Sequence, residues 1–412
     1  MRVVYYTHPS FLDTALPLFR ELTRLVELHV ILEVSPESWS SSVFHLSRLP
    51  LRSGIVPALP VLDDHFPAGV RACWRDAASF NFAVHNCRQS IHPNAWWISR
   101  RVVRFIRELN PSVVHLDEGS LRLAWALYGM GNAKLVLGVH DAEPHSGEQN
   151  WRTELSRALT LRRARHCILH NHALVEAFHR RYRVSASRVE VIPLGALDIF
   201  REWLAADAPS SSSDDRTVLF FGRLSPYKGL ETLYRAVPDV MRRLRDVRFV
   251  VAGRPVHGYI PPPIPPVSNG GHVEVVEGYI SNERLAGLFN RATVVVCPYT
   301  DATQSGVILT AYAFGKPVIA TRVGGLPEYV RQGETGVLVP AREPAALSAA
   351  LVDVLIDPDL RTRLRNGISR LLAGPLAWST IARNTVGVYE RCIGVRSTHA
   401  ANSMIRPEVT SE

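Results

Sequence analysis

Three segments in the second half of this chain combine glycines, cations and helix starts in a way that suits an anionic ligand. The first is Phe221-Gly222-Arg223-Leu224-Ser225-Pro226-Tyr227-Lys228-Gly229. An apolar run ends there and a helical pattern begins. Gly222 leaves room for a ligand to approach the backbone. Arg223 can fork onto two phosphate oxygens, and Lys228 adds a compact point charge. A helix starting near Gly229 offers free N–H groups and a positive dipole end. Taken alone, the segment is also an ordinary strand-turn-helix with solvated cations. Lysine is scarce, however. Lys134, Lys228 and Lys316 are the only three among 47 basic residues, and two of them fall in these segments.

The second segment runs Cys297-Pro298-Tyr299-Thr300-Asp301-Ala302-Thr303-Gln304-Ser305-Gly306-Val307 and continues through an apolar helix to Gly315-Lys316-Pro317. Ser305 is expected to cap that helix, with the N–H groups around Ser305, Gly306 and Val307 facing an anion. A cap and a loop with no ligand fit the letters equally well. The third is Thr321-Arg322-Val323-Gly324-Gly325-Leu326-Pro327-Glu328, where two glycines permit close backbone approach and Pro327 suits a first helical turn.

Short apolar runs alternating with helical periodicity must position these segments, which predicts β-α-β units and parallel sheets. In the first half, strands are expected at residues 3–6, 28–32, 113–116, 135–139, 167–169 and 189–192. In the second half they are expected at 217–221, 249–252, 273–276, 293–297, 318–320 and 337–339. Between the halves, the run from Ala205 to Ser213 is small and polar and reads as a linker. The fold class is therefore α/β. An N-terminal Rossmann-like domain spans 1–203, a linker 204–216 and a C-terminal Rossmann-like domain 217–376. A helix at 377–392 is expected to cross back to the N-terminal domain, as the family resemblance given below implies, and a flexible tail is expected over 393–412. Six prolines and three glycines between Pro255 and Gly271 predict an irregular loop of polyproline II character.

With 46% hydrophobic and 21% charged residues over 412 positions, the chain has the composition of a globular protein of two domains. It has no apolar stretch of membrane-spanning length, and a cytoplasmic location is expected. Five scattered cysteines give no zinc spacing. The net charge of +9 suits an anionic substrate or membrane face. Nucleic acid is not expected as a partner, because no recognised binding motif accompanies the charge.

The ordered series FGRLSPYKG, VVAGRP, VEGYISNERLAGLF, ATVVVCPY, QSGVILTAYAFGKPVIAT, VGGLPE and GETGVLVP resembles the retaining glycosyltransferases of family 4 (group 1), which have the GT-B fold. The resemblance covers about residues 217–390. In the first half it rests on Asn110-Pro111-Ser112-Val113-Val114-His115, Val139-His140-Asp141 and Val191-Ile192-Pro193-Leu194-Gly195. It implies two Rossmann-like domains with parallel sheets facing across a cleft. It also implies a hexosyltransferase-type enzyme that moves a sugar from a nucleotide diphosphate donor to a glycan or lipid-linked acceptor. The context it suggests is the synthesis of cell-surface polysaccharide or glycoconjugate, with the nucleotide sugar as co-substrate, no cofactor and no divalent metal.

The resemblance assigns the donor diphosphate to Arg223, Lys228 and the helix start at Ser305, Gly306 and Val307. Gly222, Tyr279, Asp301, Gln304 and Thr310 complete the expected donor site. His140 falls beside the transferred sugar, so His140, Arg223 and Lys228 are the catalytic candidates. Glu143 and His145 are candidates for the acceptor. One departure stands out. The family's two glutamates in the last loop and helix fall at Ala302 and Thr310 in this chain, so Asp301 or Gln304 becomes the substitute for the first. That departure motivates the alternative of a nucleotide-sugar-binding protein without turnover. A dinucleotide oxidoreductase ranks low, because His8-Pro9-Ser10 follows the first strand with no G-x-G-x-x-G. Finally, residues 96–107, from Trp96 to Arg107, form a basic amphipathic stretch. It suits peripheral contact with an anionic inner membrane face, or a core-packed helix with a solvated charged side.

Overall fold

The computed structural model describes residues 1–36, 38, 52–63, 66–124, 126–140, 151–208 and 216–395. The chain divides into two compact units. Among the described residues, one holds Met1–Gly195 together with residues 378–395, and the other holds Ala196–Ala377. The division falls at 195/196, ahead of the expected boundary at 203. The reason is local: the Leu197 N–H donates to the Leu309 carbonyl at 3.3 Å. The 3-10 turn Asp198–Trp203 also buries Ile199 and Phe200 within the second unit.

The N-terminal unit is built on β1 (Arg2–Thr7), β2 (Glu27–Val34), β3 (Gly54–Pro57), β4 (Ser79–Val84), β5 (Val113–Asp117), β6 (Lys134–Val139), β7 (His166–Leu169) and β8 (Val189–Val191). They form one sheet in the order β3-β4-β2-β1-β5-β6-β7-β8. Only β3 runs antiparallel, at the edge. Strands β3 and β4 were not anticipated. β4 (SFNFAV) interrupts its apolar residues with Ser79 and Asn81, and β3 is four residues bounded by Gly54 and Pro57. The central strands are buried on both faces, as helix-covered parallel sheets require. The helix Trp378–Ile393 belongs to this unit, where the Tyr389 hydroxyl lies 2.6 Å from His115 Nδ1.

The second unit contains β9 (Thr217–Phe221), β10 (Arg248–Gly253), β11 (His272–Glu277), β12 (Val294–Cys297), β13 (Val318–Thr321) and β14 (Gly336–Val339). All pair in parallel, in the order β11-β10-β9-β12-β13-β14. The helix Leu230–Arg243 buries Leu230, Leu233, Tyr234, Val237, Val240 and Met241, a 3–4 spacing that turns one stripe to the sheet. Residues 254–271 contain no helix or strand beyond an isolated bridge of Pro255 to Leu224.

Candidate functional site

In the second unit the strand order reverses between β9 and β12. A crevice outside the carboxyl ends of the strands at such a reversal is where open α/β sheets bind ligands. The first segment follows β9 and the second follows β12, so topology alone brings them together. A Cβ placed on Gly222 would sit 3.5 Å from Val307 Cγ2, which puts the first segment against the start of helix Gly306–Ala313. Lys228 Nζ lies 4.0 Å from the centroid of the Tyr299 ring and 5.2 Å from that of Tyr227. The Tyr299 hydroxyl in turn meets Ser305 Oγ at 3.2 Å. Lysine, aromatic ring and helix start thus form one connected group, with the ammonium held by a cation–π contact.

The loop after β12 is clamped from both sides. Gly229 has φ 72, and a side chain there would land on the Pro298 carbonyl. Gly324 has φ 48, and a side chain there would land on the Ala302 carbonyl. The Thr300 N–H donates to the Tyr227 carbonyl at 2.8 Å, and Thr321 Oγ1 donates to the Tyr299 carbonyl at 2.5 Å. The third segment, ambiguous as letters, therefore acts as the second clamp. Only a residue without Cβ permits that approach.

Several expectations change at the level of side chains. Ser305 occupies the N-cap position but makes no cap hydrogen bond, because its hydroxyl is turned to Tyr299. The helix start is left without a side-chain cap, which keeps it suited to an external acceptor. Thr310 is buried and donates to the Gly306 carbonyl at 2.8 Å, so its proton is committed within its own helix. Ala302 is buried, and its carbonyl accepts the Gly325 N–H at 3.3 Å. Asp301 and Arg223 are exposed, and Gln304 is half-buried. Tyr279 is exposed just beyond β11, an edge strand two places from β9. Lys316 is buried, with its ammonium donating to the Asn290 carbonyl at 2.7 Å, a structural use.

The N-terminal unit collects its own polar cluster at the carboxyl ends of its strands. His140 follows β6, and its Nε2 lies 2.7 Å from Oδ1 of Asp117, the last residue of β5. Thr7, at the end of β1, donates to Asp117 Oδ2 at 2.9 Å. The His140 ring stacks on Phe11, with centroids 4.0 Å apart and planes at 11°. Glu118 holds the backbone beside it. Its carboxylate accepts the His140 N–H at 3.4 Å and takes a forked pair from Arg157 at 3.0 and 2.9 Å. Consecutive strand residues normally point to opposite faces. The left-handed φ of 80 at Glu118 breaks that alternation, so that both carboxylates reach His140.

Burial acts to raise the Asp117 carboxyl, but His140, His115 and the Thr7 hydroxyl together hold it below the ordinary carboxylate range. Burial pushes His115 down to about 4 and His170 down to about 3, so both rings are neutral near pH 7. A third carboxylate, Glu33, one residue before the end of β2, accepts from the Tyr6 and Ser120 hydroxyls, each at 2.5 Å. Burial would raise it as well, but His8, His85 and Arg122 bring it to about 2. Neither Asp117, Glu118 nor Glu33 was singled out from the sequence. The available signal was an acidic residue at the carboxyl end of an apolar run. Glu143 and His145 lie outside the described residues.

Two family models match the chain. One, described as Glycosyl transferases group 1, matches residues 215–357, and the other, Glycosyltransferase Family 4, matches residues 75–196. The chain is 24% identical to the alpha-D-kanosaminyltransferase of Streptomyces kanamyceticus, over 88% of its own length and 94% of that protein. It is 30% identical to a D-inositol 3-phosphate glycosyltransferase of Acidothermus cellulolyticus, over 54% of its length and 52% of the relative. The chain spans about half the length of several of the curated relatives it matches. Among solved structures, Anabaena HepE in complex with UDP superposes with a TM-score of 0.62 at 15% identity, covering 94% of this chain and 98% of that one. Residues 75–196 thus carry a Glycosyltransferase Family 4 domain and residues 215–357 a Glycosyl transferases group 1 domain, each on a Rossmann-like sheet, and the fold is GT-B.

Proposed function

We propose that this protein is a retaining glycosyltransferase that transfers a sugar from a nucleotide diphosphate donor to a glycan or lipid-linked acceptor at the inner face of a membrane. The observation that carries the reading is the grouping at the β9/β12 reversal: Gly222 against Val307, and Lys228 over Tyr299, which meets Ser305. As the bond from the anomeric carbon to the donor oxygen stretches, negative charge builds on the departing phosphate. Preorganised cations and N–H groups stabilise that charge more than the ground state. Arg223, Lys228 and the uncapped start of helix Gly306–Ala313 supply both kinds of group, and no divalent metal is required in this scheme. Because HepE was solved with UDP and with UDP-glucose, a uridine donor is the first to try.

In the N-terminal unit, His140 Nε2 meets Asp117 Oδ1 at 2.7 Å, and this oriented imidazole is the group assigned to the transferred sugar. Attack is on the face from which the nucleotide leaves, and no protein nucleophile is assigned.

The test is a thermal-shift screen against UDP-, GDP-, ADP- and dTDP-sugars, with a donor-hydrolysis assay beside it. A donor that binds the native state raises Tm by mass action, and Arg223→Ala should abolish the rise. A shift that persists unchanged in Arg223→Ala would place the donor elsewhere. Binding with no turnover on any acceptor would favour the second reading, a nucleotide-sugar-binding protein, for which Thr310 and Ala302 in the places of the two glutamates are the motive.

A further inference from the structure

The helix Pro93–Leu109 has spent its apolar face. Ala95, Ile98, Val102, Val103 and Ile106 are buried in the N-terminal unit, and Ser99 donates to the Ala95 and Arg122 carbonyls at 2.8 and 2.7 Å. A core-packed helix needs only a polar solvent face beyond this stripe. The opposite face instead carries two tryptophans among four arginines. Trp96 and Trp97 are 51% and 54% exposed, and Arg100, Arg101, Arg104 and Arg107 are all exposed. Arg100 stacks over Trp96 at 4.6 Å and Arg101 over Trp97 at 4.7 Å. Glu108 offsets one charge, through Arg104 at 2.9 Å. Beside this face, Tyr128 is 67% exposed, and an open groove of about 980 Å³ runs between the arginines and Gly129.

Exposed indole rings cost solubility, and on a monomer they mark a surface that meets something less polar than water. Trp and Tyr favour the interface of a bilayer, where the ring sits among headgroups and its polar edge stays wet. Arginines beside them match the phosphates of anionic lipids, both by charge and by forked hydrogen bonds. We propose that this face docks on an anionic phospholipid bilayer, with the tryptophans at headgroup depth and lipid phosphates in the arginine-lined groove. Among the described residues no helix is long and apolar enough to cross a membrane, so such docking would be peripheral. The proposal deepens the membrane part of the function proposed above. It requires no turnover and no donor, so it stands or fails separately.

The experiment is co-sedimentation of the full chain with vesicles of phosphatidylcholine alone, or with a third phosphatidylglycerol, without any nucleotide. Binding is expected to the anionic vesicles only, and to weaken as salt is raised from about 0.05 to about 0.5 M, which brings the Debye length from above to below its physiological value of about 8 Å. Each arginine near the surface contributes roughly fivefold in partition, so Arg100→Ala/Arg107→Ala should lose binding by at least about tenfold. Trp96→Ala/Trp97→Ala should also weaken it, with Trp fluorescence of the parent shifted to the blue by anionic vesicles. Circular dichroism melting of each variant separates lost docking from lost folding. Equal binding to neutral vesicles, variants that fold and bind as the parent does, or a preference for duplex DNA over vesicles would each overturn the proposal.

Discussion

The carboxylate of Asp117 and the imidazole of His140 meet at 2.7 Å although they are 23 residues apart, because β5 and β6 lie side by side and both residues sit at the carboxyl ends of their strands. Ionised Asp117 fixes the proton on Nε2, and the ring is held flat on Phe11. Asp117→Asn presents an amide to the same nitrogen and leaves the tautomer free to invert. Turnover is expected to fall by roughly 10²-fold, while the donor dissociation constant, which the proposed function assigns to the other unit, is expected to change less than about twofold. Steady-state kinetics together with calorimetry on the nucleotide check this. A variant that loses donor binding and turnover in proportion would show that Asp117 acts only on the fold.

The cations of the second unit should separate by role. Arg223→Ala and Lys228→Met are each expected to cost about 2–4 kcal/mol in the transfer barrier, in line with the loss of a single oxyanion donor. Lys228→Arg should recover little, because a planar fork does not reproduce a point charge over the Tyr299 ring. Transfer rates at saturating donor measure both. Lys316→Met, which removes the bond to the Asn290 carbonyl, is expected to lower Tm and spare the barrier of the protein that remains folded.

Backbone contact at Gly324 gives a stability prediction with an internal control. A methyl group there collides with the Ala302 carbonyl in a left-handed conformation, so Gly324→Ala should destabilise the protein by about 2–4 kcal/mol and weaken donor binding through the displaced loop. Gly287, within the helix Asn282–Arg291, has nothing within 4 Å of an added Cβ. Gly287→Ala should be neutral or stabilise by up to about 1 kcal/mol. Urea titrations of the two variants at one pH decide the matter, and equal effects at both positions would remove the clamp from the account.

Acid should unfold the N-terminal unit early. An unfolded histidine takes up its proton near pH 6.5, whereas folded His115 does so near 4 and folded His170 near 3. Below pH 6.5 the unfolded chain therefore binds more protons, and stability present at pH 7 is lost as pH falls toward 4. Asp13 works in the opposite direction. Burial raises its carboxyl to about 6, so the folded state binds the extra proton between about 6 and its ordinary value of 3.8, which offsets one of the two histidines. The net expectation is a stability loss of order 1–3 kcal/mol between pH 7 and 4.5. His115→Gln should flatten that slope. A parent protein with a flat profile in denaturant titrations across this range would contradict it.

What the amino-acid sequence determined is set by local chemistry. All six strands of the second unit were legible, because parallel strands covered on both faces are short unbroken apolar runs such as Val294–Cys297. The turns after β9 and β12 that carry Gly222, Lys228 and residues 305–307 were legible because a glycine, a cation and a helix start are written in adjacent letters. Strands β3 and β4 were not legible, since polar interruptions and a four-residue edge give no periodicity. Tertiary structure alone decided which letters meet. It turned Ser305 from its expected cap to Tyr299, committed Thr310 to Gly306, moved Lys316 into a structural bond and paired Asp117 with His140. Each of those outcomes depends on where a side chain from a distant strand or loop arrives, and that is fixed by sheet order and close packing, which no local pattern encodes.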